Sequence, residues 1–67
     1  MGTMLVRGND YEVVCDGRVV VVSWRGRVVT FRIDTPGEEV DRLLSLVPDE
    51  VALAVKGVIK EVSRTAG

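Results

Sequence analysis

Hydrophobic positions recur along this chain with two different periods. Up to Ile33, apolar residues alternate with polar ones or run together in short valine blocks, as in "YEVVCDGRVVVVSWRGRVVTFRI". Alternation sends successive side chains to opposite faces of a strand. From Thr35 onward the spacing lengthens to about 3.6 residues, the period of an amphipathic helix. The pattern predicts strands at about 3–7, 10–15, 18–24 and 27–33, then helices at about 36–47 and 49–64.

Three dipeptides have the spacing of two-residue hairpin turns: Gly8-Asn9, Asp16-Gly17 and Arg25-Gly26. Gly-X suits a type II′ turn and Asp-Gly a type I′ turn, whereas Arg25 has to tolerate a positive φ. Pairing about these turns sets Val6 against Tyr11, Cys15 against Arg18, Val13 against Val20, and Trp24 against Arg27. All three pairings gather one set of residues on a single face: Met4, Val6, Tyr11, Val13, Cys15, Val20, Val22, Trp24, Val29, Phe31 and Ile33. A slip of one residue would send any strand's set to the wrong side.

The opposite face then holds Thr3, Leu5, Arg7, Asp10, Glu12, Val14, Val19, Val21, Ser23, Val28, Thr30 and Arg32. Its centre is apolar and its margin polar. Valine favours strands wherever they lie, but a contiguous apolar patch with a polar rim is also how an interface is built.

Thr35-Pro36-Gly37-Glu38 reads as a capping box with proline at the first helical position. Val40, Leu43, Leu44 and Val47 form the stripe of the first helix, which Pro48 ends or sharply bends. Asp49 and Glu50 open a second helix with the stripe Val51, Ala52, Val55, Val58, Ile59 and Val62. The expected fold is α+β: a four-stranded antiparallel β-meander followed by two C-terminal α-helices packed on one face of the sheet, in one domain over residues 1–67. Leu46 and Leu53 fall off their stripes; they either pack on each other at the Pro48 turn or make a second contact point. Gly57 sits inside the second helix at a cost of about 1 kcal/mol relative to alanine.

Size sharpens the question of that outer face. A chain of 67 residues buries only about 60% of its unfolded surface and gains from disulfides, metals or oligomerisation. One cysteine and no histidine remove an internal disulfide and the commonest metal ligand. Self-association is the remaining route, with a dimer the favoured form.

The net charge of −1 gives no overall pull towards nucleic acid or anionic membranes, although the first half is weakly basic and the second weakly acidic. No apolar run approaches the roughly 18 residues needed to span a bilayer. Neither a signal peptide nor a myristoylation motif is readable at the start, so a cytoplasmic location is expected. Scarce amides point weakly to a thermophilic source.

Catalytic chemistry finds little purchase. Cys15 has no histidine to activate it and falls on the core face, with Arg18 close enough to lower its pKa were it exposed. Glu38, Glu39, Asp41, Asp49 and Glu50 are expected in first helical turns without any metal. There is no phosphate-binding loop, dinucleotide fingerprint or zinc spacing. No cofactor, metal ligand or catalytic residue is assigned, and an enzyme would need a partner chain to supply its groups.

The segment "SWRGRVVTFRI" resembles a hairpin of small crenarchaeal chromatin proteins and of single-stranded-DNA-binding coactivator domains. The resemblance covers about ten residues and recurs in unrelated folds. This chain departs from both groups in being acidic overall and passing directly from strand to helix.

Two functions follow. The first is a non-catalytic interaction module that self-associates through Leu5, Val14, Val19, Val21 and Val28. The alternative is an accessory nucleic-acid-binding protein, single-stranded by preference, using a basic and aromatic corner of Arg7, Trp24, Arg25 and Arg27, with Arg32 as a further contact. In the plainest reading of that corner, Trp24 caps the core and Arg27 lies across its ring.

Overall fold

A computed structural model describes residues 3–66. Four antiparallel strands, β1 (Thr3–Arg7), β2 (Tyr11–Asp16), β3 (Val19–Trp24) and β4 (Arg27–Arg32), form one open sheet in the order β1-β2-β3-β4. Two helices follow, α1 (Gly37–Leu43) and α2 (Asp49–Ala66). The α+β meander expected from the hydrophobic pattern is the observed architecture.

The register differs from the expected one at two of the three hairpins. Val6 pairs with Val13 rather than Tyr11, and Cys15 with Val20 rather than Arg18. Each turn sits one residue later than the dipeptides suggested. Gly8 donates its N–H to the Tyr11 carbonyl at 2.9 Å, which makes Asn9-Asp10 the loop. Gly17 lies at φ 64 in the loop between Asp16 and Val19 while Arg18 stays in the negative-φ region, the φ pattern of a type II′ turn. At the third hairpin Trp24 pairs with Arg27 as expected, and the turn holds Arg25 at φ 47 and Gly26 at φ 81. Two positive φ values in succession match the right-handed twist of the flanking strands.

Moving a two-residue turn by one position shifts the register by two, which preserves the face of every side chain. The core face is accordingly the expected one. Val13, Cys15, Val20, Val22 and Phe31 are buried, and Met4, Val6, Tyr11, Trp24, Val29 and Ile33 pack around them half-buried.

Helices cover this face alone. Val51, Val55 and Val58 are each at most 2% exposed, one stripe of α2, which crosses β2 and β1. Val40 and Leu44 complete the core from the first helical segment. That segment is shorter than the 36–47 expected: α1 stops at Leu43 and the chain tightens into a 3-10 turn over Leu44–Leu46. Pro48 is the cause, since it forces the residue before it out of the helical region. Val47 is extended at φ −114, ψ 158. Ser45 donates its hydroxyl to the Arg42 carbonyl at 2.7 Å, satisfying one of the acceptors freed at the end of α1.

The second helix starts at Asp49 as expected, whereas the start of α1 differs. Thr35 makes no cap. Pro36 itself occupies the N-cap, with no side-chain bond, and its carbonyl accepts from Glu39 and Val40 at 3.0 Å. Pro48 performs the same service for Val51 and Ala52. Leu43, placed on the first stripe by its spacing, is instead exposed, while its neighbours Val40 and Leu44 are buried.

Candidate functional site

With both helices on one side, among the described residues the outer face of the sheet carries only its own side chains. The observed register arranges them in three rows across the four strands. The middle row runs Leu5, Val14, Val21, Thr30; one flanking row runs Thr3, Asp16, Val19, Arg32; the other runs Arg7, Glu12, Ser23, Val28. Leu5, Val14 and Val21 are therefore consecutive cross-strand neighbours, a continuous apolar bar about 5 Å from residue to residue. Val19 adjoins this bar on one side, and Val28 lies at a corner of the other flanking row.

All five sequence-predicted self-association residues share this face. Val28 is 64% exposed, Leu5 53% and Val19 40%. Val14 and Val21 are half-buried by one another and by their neighbours. The rim is charged. Arg7 donates from Nε and Nη2 to Glu12 Oε2 at 3.1 and 2.9 Å, so this pair neutralises itself within one row. Asp16 and Arg32 stand two strands apart in the opposite row, with Val19 between them. Arg32 reaches Asp34 at 3.4 Å in an exposed pair, which contributes little at such exposure.

The structure brings the four residues of the sequence-predicted basic corner to one end of the sheet, with Arg27 the cross-strand partner of Trp24. The loops of the first and third hairpins meet at one end of the sheet, where the Arg25 N–H reaches the Asp10 carbonyl at 3.4 Å. Arg7, Tyr11, Trp24 and Arg25 line a cleft of about 320 Å³ there. Arg32, the further contact, lies at the far end of β4 from Arg27 and therefore away from this corner. The cation over the Trp24 ring is Arg25, 5.6 Å from the centroid, and not Arg27. The type I′ turn directs the Arg25 side chain back over its neighbour, whereas Arg27 starts the next strand. Arg7 and Arg25 are each matched by a carboxylate, Glu12 at 2.9 Å and Asp10 at 3.5 Å.

Cys15 sits against Val20 in the core at 1% exposure. Burial, and secondarily the Asp16 carboxylate, push its thiol pKa up. The expected proximity to Arg18 is lost with the two-residue change of register. Among the described residues, no group of three or more histidine, cysteine or acidic side chains could hold a metal ion, and no helix is long and apolar enough to cross a membrane.

Sequence reasoning left one apolar feature open, and the structure places it. Leu46 and Leu53 are 64% and 70% exposed, beyond the core on the elbow between the helices. A groove of about 420 Å³ between α1 and α2, lined by Val40, Ile59, Lys56 and Lys60, was not anticipated. Its residues come together only through the angle between the helices.

Compared with known protein families, with curated proteins and with solved structures, the chain matches none. Its function is read from its own residues.

Proposed function

We propose that this protein is a non-catalytic interaction module that forms a homodimer through the outer face of its sheet. The observation that carries the reading is the unbroken Leu5-Val14-Val21 bar, with Val19 and Val28 beside it, on the only sheet face the helices leave bare. Covering such a face removes apolar surface from water at roughly 25 cal/mol per Å². Sheets stack face to face about 10 Å apart when their inner faces are apolar. A second copy offers a face of the same size, the same chemistry and the same charged margins.

The face is small. Four strands about 4.8 Å apart, five residues tall at about 3.4 Å each, fall short of the roughly 800 Å² per partner of a standard interface. The expected dissociation constant is accordingly in the micromolar range. Sedimentation equilibrium between about 5 and about 500 μM tests this. The expected result is a mass that climbs from one chain towards two, and a Val21→Lys variant that stays monomeric while remaining folded. A wild-type protein that is monomeric throughout would remove the reading.

Nucleic-acid binding at the hairpin corner is the second reading, favoured by the cleft beside Tyr11 and Trp24. Phosphate contacts supply most of such affinity; Arg7 and Arg25 are held in ion pairs, so this reading leans on Arg27, the cross-strand partner of Trp24. Quenching of Trp24 fluorescence by single-stranded oligonucleotides, reversed by salt, is its test. No quenching at low salt ends it.

A further inference from the structure

We infer that the open edge of β4 takes up an extended peptide as a fifth strand, one that carries β-forming residues between two acidic ones. The edge is a different surface from the outer face of the proposed dimer, and the inference does not rest on that dimer. It begins with where the backbone groups of β4 point.

A two-residue turn is closed by a pair whose N–H and C=O groups bond to each other, and bonded and non-bonded pairs then alternate along the ladder. At the third hairpin the closing pair is Trp24 and Arg27. Arg27, Val29 and Phe31 therefore direct their backbone groups to β3, whereas Val28, Thr30 and Arg32 direct theirs outward. The same alternation continues past the strand, where the Ile33 N–H reaches the Arg18 carbonyl at 2.8 Å. The Arg32 carbonyl accepts from the Thr35 N–H at 3.0 Å in the turn that follows. Among the described residues, no bond reaches the outward groups of Val28 and Thr30, and both residues are exposed.

Natural sheets guard such an edge with a proline, a bulge or a charge inside the strand. β4 has none of these: its register against β3 is unbroken, and Val28-Val29-Thr30-Phe31 is uncharged. Its charges stand at its two ends, Arg27 and Arg32. Arg27 makes no ion pair among the described residues. Arg32 has the exposed Asp34 at 3.4 Å, a pair weak enough to exchange.

An antiparallel segment matches this pattern when acidic residues at its first and sixth positions lie opposite Arg32 and Arg27. Main-chain bonds hold the added strand, and the two ion pairs set its register. The β4 of a second copy would instead bring two further arginines and no acid to the ladder. The opposite edge, β1, offers Arg7 alone, and Glu12 already accepts two bonds from it.

The probe is a blocked hexapeptide, Glu-Val-Thr-Val-Thr-Glu, with Lys-Val-Thr-Val-Thr-Lys as its charge-reversed control. The acid-ended peptide is expected to bind with a dissociation constant below about 1 mM, and about tenfold tighter than the control. Hydrogen exchange at the Val28 and Thr30 amides should then slow, while Val29 and Phe31, already bonded within the sheet, change little. Thr30→Pro removes one outward N–H and no bond of the sheet, so it should stay folded and lose the peptide. Reversing both charges together, Arg27→Glu with Arg32→Glu, should invert the preference between the two peptides, a readout that does not depend on the proline variant folding. No binding of the acid-ended peptide, or equal affinity for both peptides, would overturn the inference. So would slowed exchange at Leu5 and Arg7 of β1 in place of β4, or a preference that survives the double charge reversal.

Discussion

A methyl group at position 8 would overlap the Tyr11 ring, which lies directly on the Gly8 Cα. The need for glycine here is contact and not backbone freedom, since the positive-φ glycines among the described residues are Gly17 and Gly26. Gly8→Ala should therefore destabilise by about 1–2 kcal/mol in urea unfolding. Most of that loss should vanish in a Tyr11→Ala background, because neighbouring substitutions that share one clash do not add. Cys15 gives a second prediction at this scale. Its thiol pKa is raised by burial first and by Asp16 second, so the folded chain keeps its proton to higher pH than the unfolded chain. Between about pH 8.5, where an unfolded thiol titrates, and the folded pKa, the unfolded state binds fewer protons, and stability falls as pH rises. Below that window this contribution is flat. Unfolding free energies of wild type minus Cys15→Ala, measured from pH 7 to pH 10, should show a downward slope only at the alkaline end. The folded thiol should also resist alkylation.

Among the elements, the third hairpin and α2 carry residues at odds with their local conformation. Arg25 holds φ 47 without being glycine, and its ion pair with Asp10 is exposed. Arg25→Asn restores the Asn-Gly preference of a type I′ turn and should stabilise by roughly 0.5–1 kcal/mol. Gly57 lies within α2 with open space where a Cβ would stand, so Gly57→Ala should raise the unfolding free energy by about 1 kcal/mol. These two residues also mark how legible the elements were. The faces of all four strands could be read from alternation, because parity survives a two-residue change of register. The turn positions could not, since Gly8-Asn9 against Asn9-Asp10, and Asp16-Gly17 against Gly17-Arg18, differ only in local φ and in where the Tyr11 ring packs. The early end of α1 was hidden for a similar reason. Val47 fits the helical stripe by spacing, and only the geometry imposed by Pro48 removes it. At the candidate site, the five apolar residues of the outer face came from parity alone, whereas their order in rows required the true register.

For the whole molecule, the consequence of this architecture is a layer count. One sheet and one helical layer make a body whose shortest extent is 16 Å, with a core in which both layers bury one face and the sheet keeps an apolar bar outside. In the proposed dimer, a second copy would cover that bar and turn it into a core between two sheets. Such association would contribute to folding stability, because a partner that binds only the native chain shifts the unfolding equilibrium by mass action. The thermal midpoint should rise by about 5 °C between roughly 5 and 500 μM protein. Leu5→Lys and Val21→Lys should each remove that concentration dependence while leaving the dilute midpoint within a few degrees of wild type. Their side chains are already in contact with water in a single chain, so an added charge costs the monomer little. Should the dilute midpoint instead collapse in both variants, the outer apolar residues would be stabilising the protomer, and the face would not be an interface.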